Sequence, residues 1–442
     1  MIALRGMICL LVMLAASPAP RETPSFETEA ELRRAVTAIF GEPDARQRAA
    51  IVAEVSKLQK DHGIEILEEV VRKGPLYPRG EPEPRSVAGK TEKLSRFGTA
   101  VVGYSFTCEG QRFRYAVDFP AKYDSSKPHP VLIDPGHGTG KNKDDSGKAD
   151  FLPFYRRQLD AARLETWLLV RTEIIEQVGA DGLQKPLPED RVARIFQAFF
   201  RDLGSRFHID PDRIYVTGLS QTGFWTWYLG RARADRFAGI APMSAVTWQV
   251  NSYASNFINL PVYVLHGSQD SVCPVDQPRT TTRRLATCGV PLRYEEVDGA
   301  GHDAAVWSRL GGALTWLADR PRNPYPRTIS KSLQTSLDGW CYWLRVDELD
   351  AEGDGKAGTK PTGGIDAFIK GQTVHLFSVG VSRITLGLAS ELLDLDRPIT
   401  VIWNGRKVHK SKVKRSLADL LEIVGDKADW TGTFEAKLTL TL

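Results

Sequence analysis

The sequence predicts an α/β fold with a doubly wound, mostly parallel sheet, preceded by helices and followed by a β-rich domain. Short apolar strands alternate with amphipathic helices between residues 95 and 320. Before this segment helical periodicity dominates, and in residues 325–442 closely spaced strands are separated by turns. Strands that are apolar throughout are typical of a parallel sheet covered by helices on both faces.

The length and the charge of the chain indicate how many domains it has and argue against one class of partner. A chain of 442 residues is too long for one typical domain, which favours two or three. The 58 basic and 54 acidic side chains leave a net charge of +4, and no basic stripe is interleaved with aromatic residues. This balance argues against nucleic acid as a partner.

The first 19 residues have the pattern of a secretory signal peptide. Arg5 precedes the ten-residue apolar run MICLLVMLAA, and the small residues Ala15, Ala16 and Ser17 at the end of the run offer a cleavage site. Such a run is too short to anchor the chain in a bilayer. No later stretch stays apolar for 18 residues. We therefore expect a secreted or periplasmic protein with no membrane span in its mature form.

Residues 25–86 are expected to hold helices and a linker. Leu32, Val36 and Ile39 fall on one helical face, and Asp44 is placed to cap a second helix. Residues 73–86 contain four prolines and two glycines, which is typical of a linker. Two arrangements remain open, a small separate domain and helices packed on the main body.

Residues 95–320 are the expected catalytic domain. A long amphipathic helix is predicted over residues 189–207, and a last helix contains Leu310 and Leu314. The predicted strands cover residues 115–119, 130–133, 167–170, 214–216, 237–245, 262–265 and 292–297.

Three prolines between Arg320 and Thr328 predict a second boundary. Beyond it a β-rich, sandwich-like domain is expected over residues 325–442, and Asn404-Gly405 is a strong hairpin signal. Its predicted strands cover residues 341–346, 365–369, 374–379, 384–386, 399–403 and 435–442.

The sequence GLSQTG places Ser220 between an apolar strand and a helix. This is the arrangement of a serine nucleophile on a tight strand-to-helix turn, whose glycines let the helix approach the strand. Gly218 and Gly223 are present, but Thr222 stands where the usual G-x-S-x-G pattern has glycine. A threonine at this position restricts the backbone conformations available to the turn but still permits the turn.

A nucleophilic serine needs a base and a group that orients the base. Asp270 follows the strand at 262–265, and His302 follows the strand at 292–297. All three side chains come after the carboxyl ends of strands, which meet at one edge of a parallel sheet. Ser220, Asp270 and His302 are therefore the predicted catalytic residues.

A serine nucleophile of this kind also needs two N–H groups that stabilise the oxyanion formed on its substrate. The backbone N–H of Gln221, next to the serine, is expected to supply one. The glycine-rich segment DPGHGTG follows the strand at 130–133 and is expected to supply the other, from Gly136 or His137.

Together the segments GLSQTG, HGSQD, GAGH and PGHG resemble the α/β-hydrolase superfamily. The similarity covers about residues 100–320 and is greatest to secreted or periplasmic esterases, including feruloyl-esterase and phospholipase/carboxylesterase-like groups. It implies hydrolysis of a carboxylic ester through an acyl-enzyme, on a small-molecule or polysaccharide ester, without a metal or organic cofactor. Thr222 and the PGHG segment depart from the usual family pattern.

Other interpretations of the same residues stay open. His137 is an alternative base, whereas His266 is expected to be structural, and the aromatic residues after Ser220 are expected in the core. Asp298 and Asp303 are expected to be solvated. A serine peptidase of the same superfamily would share these residues. A non-catalytic carbohydrate- or envelope-binding protein would instead act through residues 325–442.

Overall fold

The computed structural model describes residues 26–42, 44–77, 101–136, 152–172, 176–178, 184–186, 189–336, 339–353 and 360–442. The expected signal peptide, most of the linker and His137 lie outside these ranges. Within them, the helices are α1 (Phe26–Gly41), α2 (Ala45–Val55), α3 (Ile64–Arg72), α4 (Leu152–Ala161), α5 (Glu189–Arg206), α6 (Gln221–Ala232), α7 (Asp276–Thr287), α8 (Ala304–Trp307), α9 (Leu310–Ala318) and α10 (Leu417–Lys427).

The first group of strands belongs to the predicted α/β domain. These strands are β1 (Val101–Cys108), β2 (Gln111–Asp118), β3 (His129–Asp134), β4 (Leu168–Thr172), β5 (Glu176–Val178), β6 (Gln184–Pro186), β7 (Ile209–Leu219), β8 (Gly239–Met243), β9 (Val262–Gly267) and β10 (Leu292–Val297). Eight of them form one sheet in the order β1-β2-β4-β3-β7-β8-β9-β10. The strands β1, β2 and β4 pair antiparallel, and all later neighbours pair parallel.

The central strands are buried on both faces, which explains their continuous apolar sequence. In β3, Leu132 packs in one hydrophobic core, while its neighbours Val131 and Ile133 pack in the other. In β7, Tyr215 packs in the same core as Leu132, and Val216 packs in the other core. Since successive side chains of a strand point to opposite faces, the sheet has a core on each side. The predicted α/β fold is confirmed.

The strands of the carboxy-terminal part form two further sheets. They are β11 (Thr328–Leu333), β12 (Trp340–Cys341), β13 (Leu344–Leu349), β14 (Gly363–Lys370), β15 (Thr373–Val379), β16 (Val381–Leu388), β17 (Ile399–Trp403), β18 (Arg406–Ser411) and β19 (Ala436–Thr441). One sheet has the order β11-β14-β15-β17-β18, and the other has the order β12-β13-β16-β19. The predicted Asn404-Gly405 hairpin joins β17 to β18, with φ values of 47° and 79° at the two turn residues.

The helix α10 was not expected among the carboxy-terminal strands. Leu417, Leu420, Leu421 and Val424 recur at helical spacing and are buried. Ser416 caps the helix by accepting a hydrogen bond from the N–H of Asp419. The region is β-rich as predicted, and the apolar spacing and the cap of this additional helix are both present in the sequence.

The amino-terminal helices pack on the main body. Helix α1 contacts α5 of the α/β region, and α1, α2 and α3 all contact α10. Val36 of α1, Phe199 of α5 and Leu421 of α10 belong to the same hydrophobic core. This core therefore continues through the amino-terminal helices, one face of the large sheet and the carboxy-terminal region.

A buried ionic cluster lies where these regions meet. Arg322 donates to Asp429 at 2.6 Å and to Asp212 at 2.7 Å, and Lys427 donates to Asp235 at 2.7 Å. Burial opposes ionisation of Asp429, but the charge of Arg322 prevails and holds the pKa of this carboxyl well below its usual range. Asp429 therefore stabilises the fold at neutral pH, and this contribution is lost as the solution becomes strongly acidic.

We expect Arg322→Gln to lower the free energy of unfolding by about 3–5 kcal/mol, because it removes the cation that donates to the buried Asp429 and to the half-buried Asp212. The exposed pair of Arg383 and Glu348 offers a matched control, and Arg383→Gln should change the free energy by at most about 1 kcal/mol. Urea unfolding of the two variants measures both values. Equal stabilities of the variants would contradict the importance of the cluster.

Candidate active site

Ser220 occupies a strained turn between β7 and α6. Its backbone angles are φ 55° and ψ −116°, a conformation that side-chain-bearing residues rarely adopt. Its N–H donates to the carbonyl of Met243 at 2.9 Å, and its carbonyl accepts from the N–H of Phe224 at 3.0 Å. The neighbouring strand and the first turn of the helix thus hold the strained residue. This is the geometry of a nucleophile elbow.

The two remaining glycines of the motif are required by close packing. A Cβ on Gly218 would lie 2.4 Å from the backbone carbonyl of Thr222. A Cβ on Gly223 would lie 2.8 Å from the Cβ of Ala245 and 2.9 Å from the carbonyl oxygen of Gly218. All three distances are far below van der Waals contact. The glycines therefore let α6 approach the sheet and turn the chain sharply at Ser220.

Thr222 is accommodated in the turn because its side chain forms hydrogen bonds with the backbone of the turn. The Oγ1 atom accepts a hydrogen bond from the N–H of Leu219 at 2.7 Å and donates one to the carbonyl of Leu219 at 3.0 Å. Thr222 is buried, so these bonds are not exchanged with solvent. The threonine hydroxyl ties the residue before the serine to the first turn of the helix.

Asp270 and His302 are brought together at the end of β9 and β10. The Oδ2 atom of Asp270 lies 2.8 Å from Nδ1 of His302. The Oδ1 atom accepts from the N–H groups of Val272 and Cys273, at 2.9 and 2.7 Å. The carboxylate is buried and fixed on both oxygens. It can therefore hold the imidazole in one orientation and one tautomer.

His266 lies beneath the same loop. Its Nε2 atom is 2.7 Å from the carbonyl oxygen of Cys273 and 3.5 Å from Oδ2 of Asp270. Burial lowers the pKa of His266, so the ring stays neutral beside the carboxylate. It supports the acid loop from below, which agrees with its expected structural role.

Ser220 and His302 line one small cavity of about 130 Å³. The other residues that line it are Asp134, Tyr155, Arg171, Leu219, Thr222 and Trp307. Trp307 stands edge-on to the ring of His302, with centroids 6.4 Å apart. A molecule that binds in this cavity would therefore contact both the serine and the histidine.

A charged pair that was not among the predicted site residues also lines this cavity. Asp134 and Arg171 are both buried and lie 3.2 Å apart, and a side-chain hydrogen bond joins Tyr155 to Asp134. Asp134 ends β3 and Arg171 lies near the end of β4. The rule that located Asp270 and His302, that side chains at the carboxyl ends of strands converge, would also have pointed to this pair.

The two expected oxyanion donors differ in their surroundings. Gln221 is the first residue of α6, where backbone N–H groups have no partner within the helix. The N–H of Gly136 donates to Oδ1 of Asp134 at 3.0 Å, so this conformation directs it to a carboxylate. A Cβ on Gly136 would lie 1.8 Å from the carbonyl oxygen of Thr172. The oxyanion roles of Gln221, Gly136 and His137 stay predictions.

Two further expectations concern residues near the site. Trp225, Trp227 and Tyr228 are buried and belong to the hydrophobic core, as expected. Asp303 is exposed, as expected, and it also caps α8 by accepting a hydrogen bond from the N–H of Ala305. A short polar side chain is favoured at this position because it satisfies a free N–H of the first turn.

Among the described residues, one group of carboxylates is close enough to share an ion. It consists of Glu68, Glu391 and Glu435, away from the serine turn. Arg72 already pairs with Glu68 and Glu391, and the hydroxyl of Thr433 donates to Glu68 at 2.6 Å. The group is held by protein donors and does not line the active-site cavity.

Substitutions of Thr222 should show whether its hydroxyl contributes to the stability of the turn, to catalysis, or to both. Thr222→Val leaves the N–H of Leu219 without its acceptor, and we expect a loss of about 1–3 kcal/mol in unfolding free energy. Thr222→Ser keeps the hydroxyl and should match the parent protein. Thr222→Gly should keep ester hydrolysis within about tenfold. Thermal unfolding and initial rates check these values. Complete loss of activity in the glycine variant would show that the hydroxyl takes part in the chemistry.

Comparison with known families and curated proteins gives partial matches. A family model described as secretory lipase matches residues 248–326, which include Asp270 and His302. The non-reducing polyketide synthase Preu3 of Preussia isomera is 35% identical over 95 residues. That similarity spans 20% of this chain and 4% of the synthase, so it covers a small part of both proteins.

Among solved structures, the chain is similar to a ferulic acid esterase, with 17% identity, a TM-score of 0.42 and coverage of 51% of this chain and 99% of that one. A thermostable esterase shows 20% identity and a TM-score of 0.40, over 50% of this chain and 63% of the esterase. An acylaminoacyl peptidase shows 15% identity and a TM-score of 0.38, over 54% of this chain and 43% of the peptidase.

The fold can be recognised from the order of the strands and from the residues at their carboxyl ends. The parallel strands carry the serine turn, the acid and the histidine at their carboxyl ends, in that order along the chain. Within the described residues no helix combines the length and the apolar character needed to cross a membrane. The strand order and the serine turn give this chain the α/β-hydrolase fold, and the secretory lipase match supports a carboxylic ester hydrolase.

Proposed function

We propose that this protein hydrolyses carboxylic esters through Ser220, His302 and Asp270. One observation carries the proposal, the 2.8 Å contact of Asp270 with Nδ1 of His302 beside a cavity that Ser220 also lines. The strained backbone of Ser220 adds support, because such strain persists where the surrounding structure enforces it and is concentrated at active sites.

The contact with Asp270 leaves Nε2 of His302 as the atom that exchanges protons. Ser220 Oγ attacks the ester carbonyl, and its proton passes to Nε2. The carbonyl oxygen becomes an oxyanion, which the N–H of Gln221 at the start of α6 stabilises together with the helix dipole. His302 then protonates the leaving alcohol, and water releases the acyl group by the same steps in reverse roles.

The size of the cavity favours a short acyl group. A volume of about 130 Å³ corresponds to roughly four water molecules at about 30 Å³ each. Leu219 and Trp307 supply apolar contacts, while Asp134 and Arg171 neutralise each other. An acyl chain of a few carbon atoms fits these dimensions better than a long fatty chain. An ester is favoured over a peptide as the substrate by the match with the secretory lipase model.

Export forms part of the proposal. The apolar run near the amino terminus has the pattern of a cleaved signal peptide, and the matched family is described as secretory. We propose that the mature enzyme works outside the cytoplasm, where esters on polysaccharides are accessible substrates.

The carboxy-terminal sheet offers a surface that suits a polysaccharide. Phe368 on β14 stacks on His375 of β15 with centroids 4.6 Å apart, and on Phe377 with centroids 6.2 Å apart. Phe377 is 51% exposed, and Val379 on the same face is 81% exposed. Asp366 is paired with Phe377 across the strands and is exposed. A sugar ring can pack its apolar face on Phe377 while a hydroxyl donates to the carboxylate. We propose that this aromatic ridge holds the polymer that carries the ester.

A fluorophosphonate tests the nucleophile directly. We expect intact mass to show a single adduct on the parent protein and none on Ser220→Ala. Asp270→Asn should lower kcat for p-nitrophenyl acetate by about 10³–10⁴-fold, because the amide favours the wrong tautomer of the histidine. No adduct on folded parent protein would refute the catalytic proposal.

The aromatic ridge is tested on the full chain. Phe377→Ala should weaken retention on an insoluble acetylated polysaccharide by about tenfold or more, while hydrolysis of p-nitrophenyl acetate stays unchanged. Trp248, which is 49% exposed and lies on the α/β region, provides the control variant Trp248→Ala. Equal retention of the two variants would remove the ridge from the proposal.

A further inference from the structure

A second and larger cavity lies between the regions of the chain. Its volume is about 810 Å³, and it shares no lining residue with the active-site cavity. Strand β1, helix α5 and the end of α1 contribute to its wall. Trp340 and Arg345 of the carboxy-terminal region and Asp426 of α10 complete it. The cavity therefore forms only when the three regions are packed together.

The lining of this cavity carries an excess of positive charge. Six arginines stand against three carboxylates, which leaves a formal surplus of three positive charges. The arginines are Arg112, Arg194, Arg201, Arg206, Arg233 and Arg345, and the carboxylates are Glu109, Asp202 and Asp426.

Three of the six arginines form ion pairs with the three carboxylates. Arg194 pairs with Glu109 at 2.5 Å, and Arg206 pairs with Asp202 at 2.8 Å. The third pair joins Arg345 to Asp426 at 3.0 Å. Each lining carboxylate thus has an arginine partner within the lining, and Glu109 also contacts Arg191 at 3.4 Å. The remaining positive charge comes from the other three arginines, of which Arg112 bonds to the hydroxyl of Ser105.

Arg233 is buried and has an unused donor. Its Nη1 atom donates to the side-chain oxygen of Gln197 at 2.5 Å, and its Nε atom lies 3.2 Å from Asp235. Its Nη2 atom is buried without a hydrogen-bond acceptor among the described residues. Only 7% of Arg233 is exposed, so water does not satisfy this group freely. A buried donor of this kind costs free energy until an acceptor is supplied.

Arg201 lies on α5 in the same cavity and has no hydrogen-bonded or ion-paired partner among the described residues. Burial lowers the pKa of Arg201 to about 10, and the positive charges of Arg48 and Arg233 add to the effect. The guanidinium therefore stands close to other cations, and the nearby carboxylate of Asp426 is already paired with Arg345. A cation in this position destabilises the empty protein and attracts an anion of matching size.

We propose that this cavity binds a small molecule through an oxyanion, a carboxylate or a phosphate, held by Arg201 and Arg233. Guanidinium groups present two parallel donors that match the oxygens of such groups. Gln197 fixes Arg233 in place, because it accepts from that arginine and donates to the carbonyl of Asp426 at 2.6 Å. The volume leaves room for the rest of a molecule the size of a sugar acid or a sugar phosphate.

The oxyanion site is separate from the reacting ester. Helix α6 begins directly after Ser220 and ends directly before Arg233. Its 12 residues span about 18 Å at 1.5 Å per residue. A ligand bound to Arg233 therefore does not touch the serine, and its binding does not depend on the proposed ester hydrolysis.

The test is thermal unfolding and calorimetric titration of the full chain with two probes, inorganic phosphate and sodium glucuronate, at constant ionic strength. We expect at least one probe to raise Tm saturably in the parent protein. Arg201→Gln should weaken that binding by about tenfold or more and should not lower Tm without the probe, because the lost charge has no partner. Arg284→Gln, on the exposed side of α7, should bind like the parent protein.

The two probes separate the sources of the anion. Saturation by phosphate alone assigns a phosphate ligand, and saturation by glucuronate alone assigns a carboxylate ligand. A rise in Tm that does not saturate, or that is equal in Arg201→Gln, is a general salt effect and overturns the proposal. No response to either probe overturns it as well.

Discussion

The close approach of α6 to β7 is the constraint on which the site depends. Two glycines remove the side chains that would keep the helix and the strand apart, and Ser220 takes the strain of the turn between them. Once the helix is seated, its first turn begins at the end of the sheet where Asp270 and His302 lie. The position of Ser220, its strained backbone and its place at the amino terminus of a helix thus all result from one packing contact. Thr222 strengthens that contact by bonding to Leu219 instead of leaving the position to glycine.

A second level of organisation joins the regions of the chain. Arg322 follows the last helix of the α/β region and binds Asp212 of β7 and Asp429 beyond α10. Lys427, at the end of α10, binds Asp235 just after α6. Except for the half-buried Asp212, these charges are buried, and the contacts of Arg322 and Lys427 join one region to another. The same junction contains the large cationic cavity, where the pairing of charges is incomplete.

Much of the fold could be predicted from the sequence because its signals are local. The apolar strands of the sheet, the Asn404-Gly405 hairpin and the serine turn each depend on a short run of residues. Asp270 and His302 could be located because strand ends converge, and the same rule would have found Asp134 and Arg171. The role of the Thr222 hydroxyl and the unpaired state of Arg201 could not be predicted. Both depend on distances between residues that only the folded chain defines.

The shared core and the Arg322 cluster bear on how this chain could have evolved. The proline-rich segment at residues 320–328 resembles a joint between exchangeable modules, but the carboxylates on one side of it are neutralised by cations from the other. A gene fusion that replaced the carboxy-terminal region with an unrelated module would leave Asp235 buried without Lys427 and expose a face of the large core. The two halves are therefore expected to be inherited as a unit, with substitutions at Asp235 and Lys427 correlated across lineages.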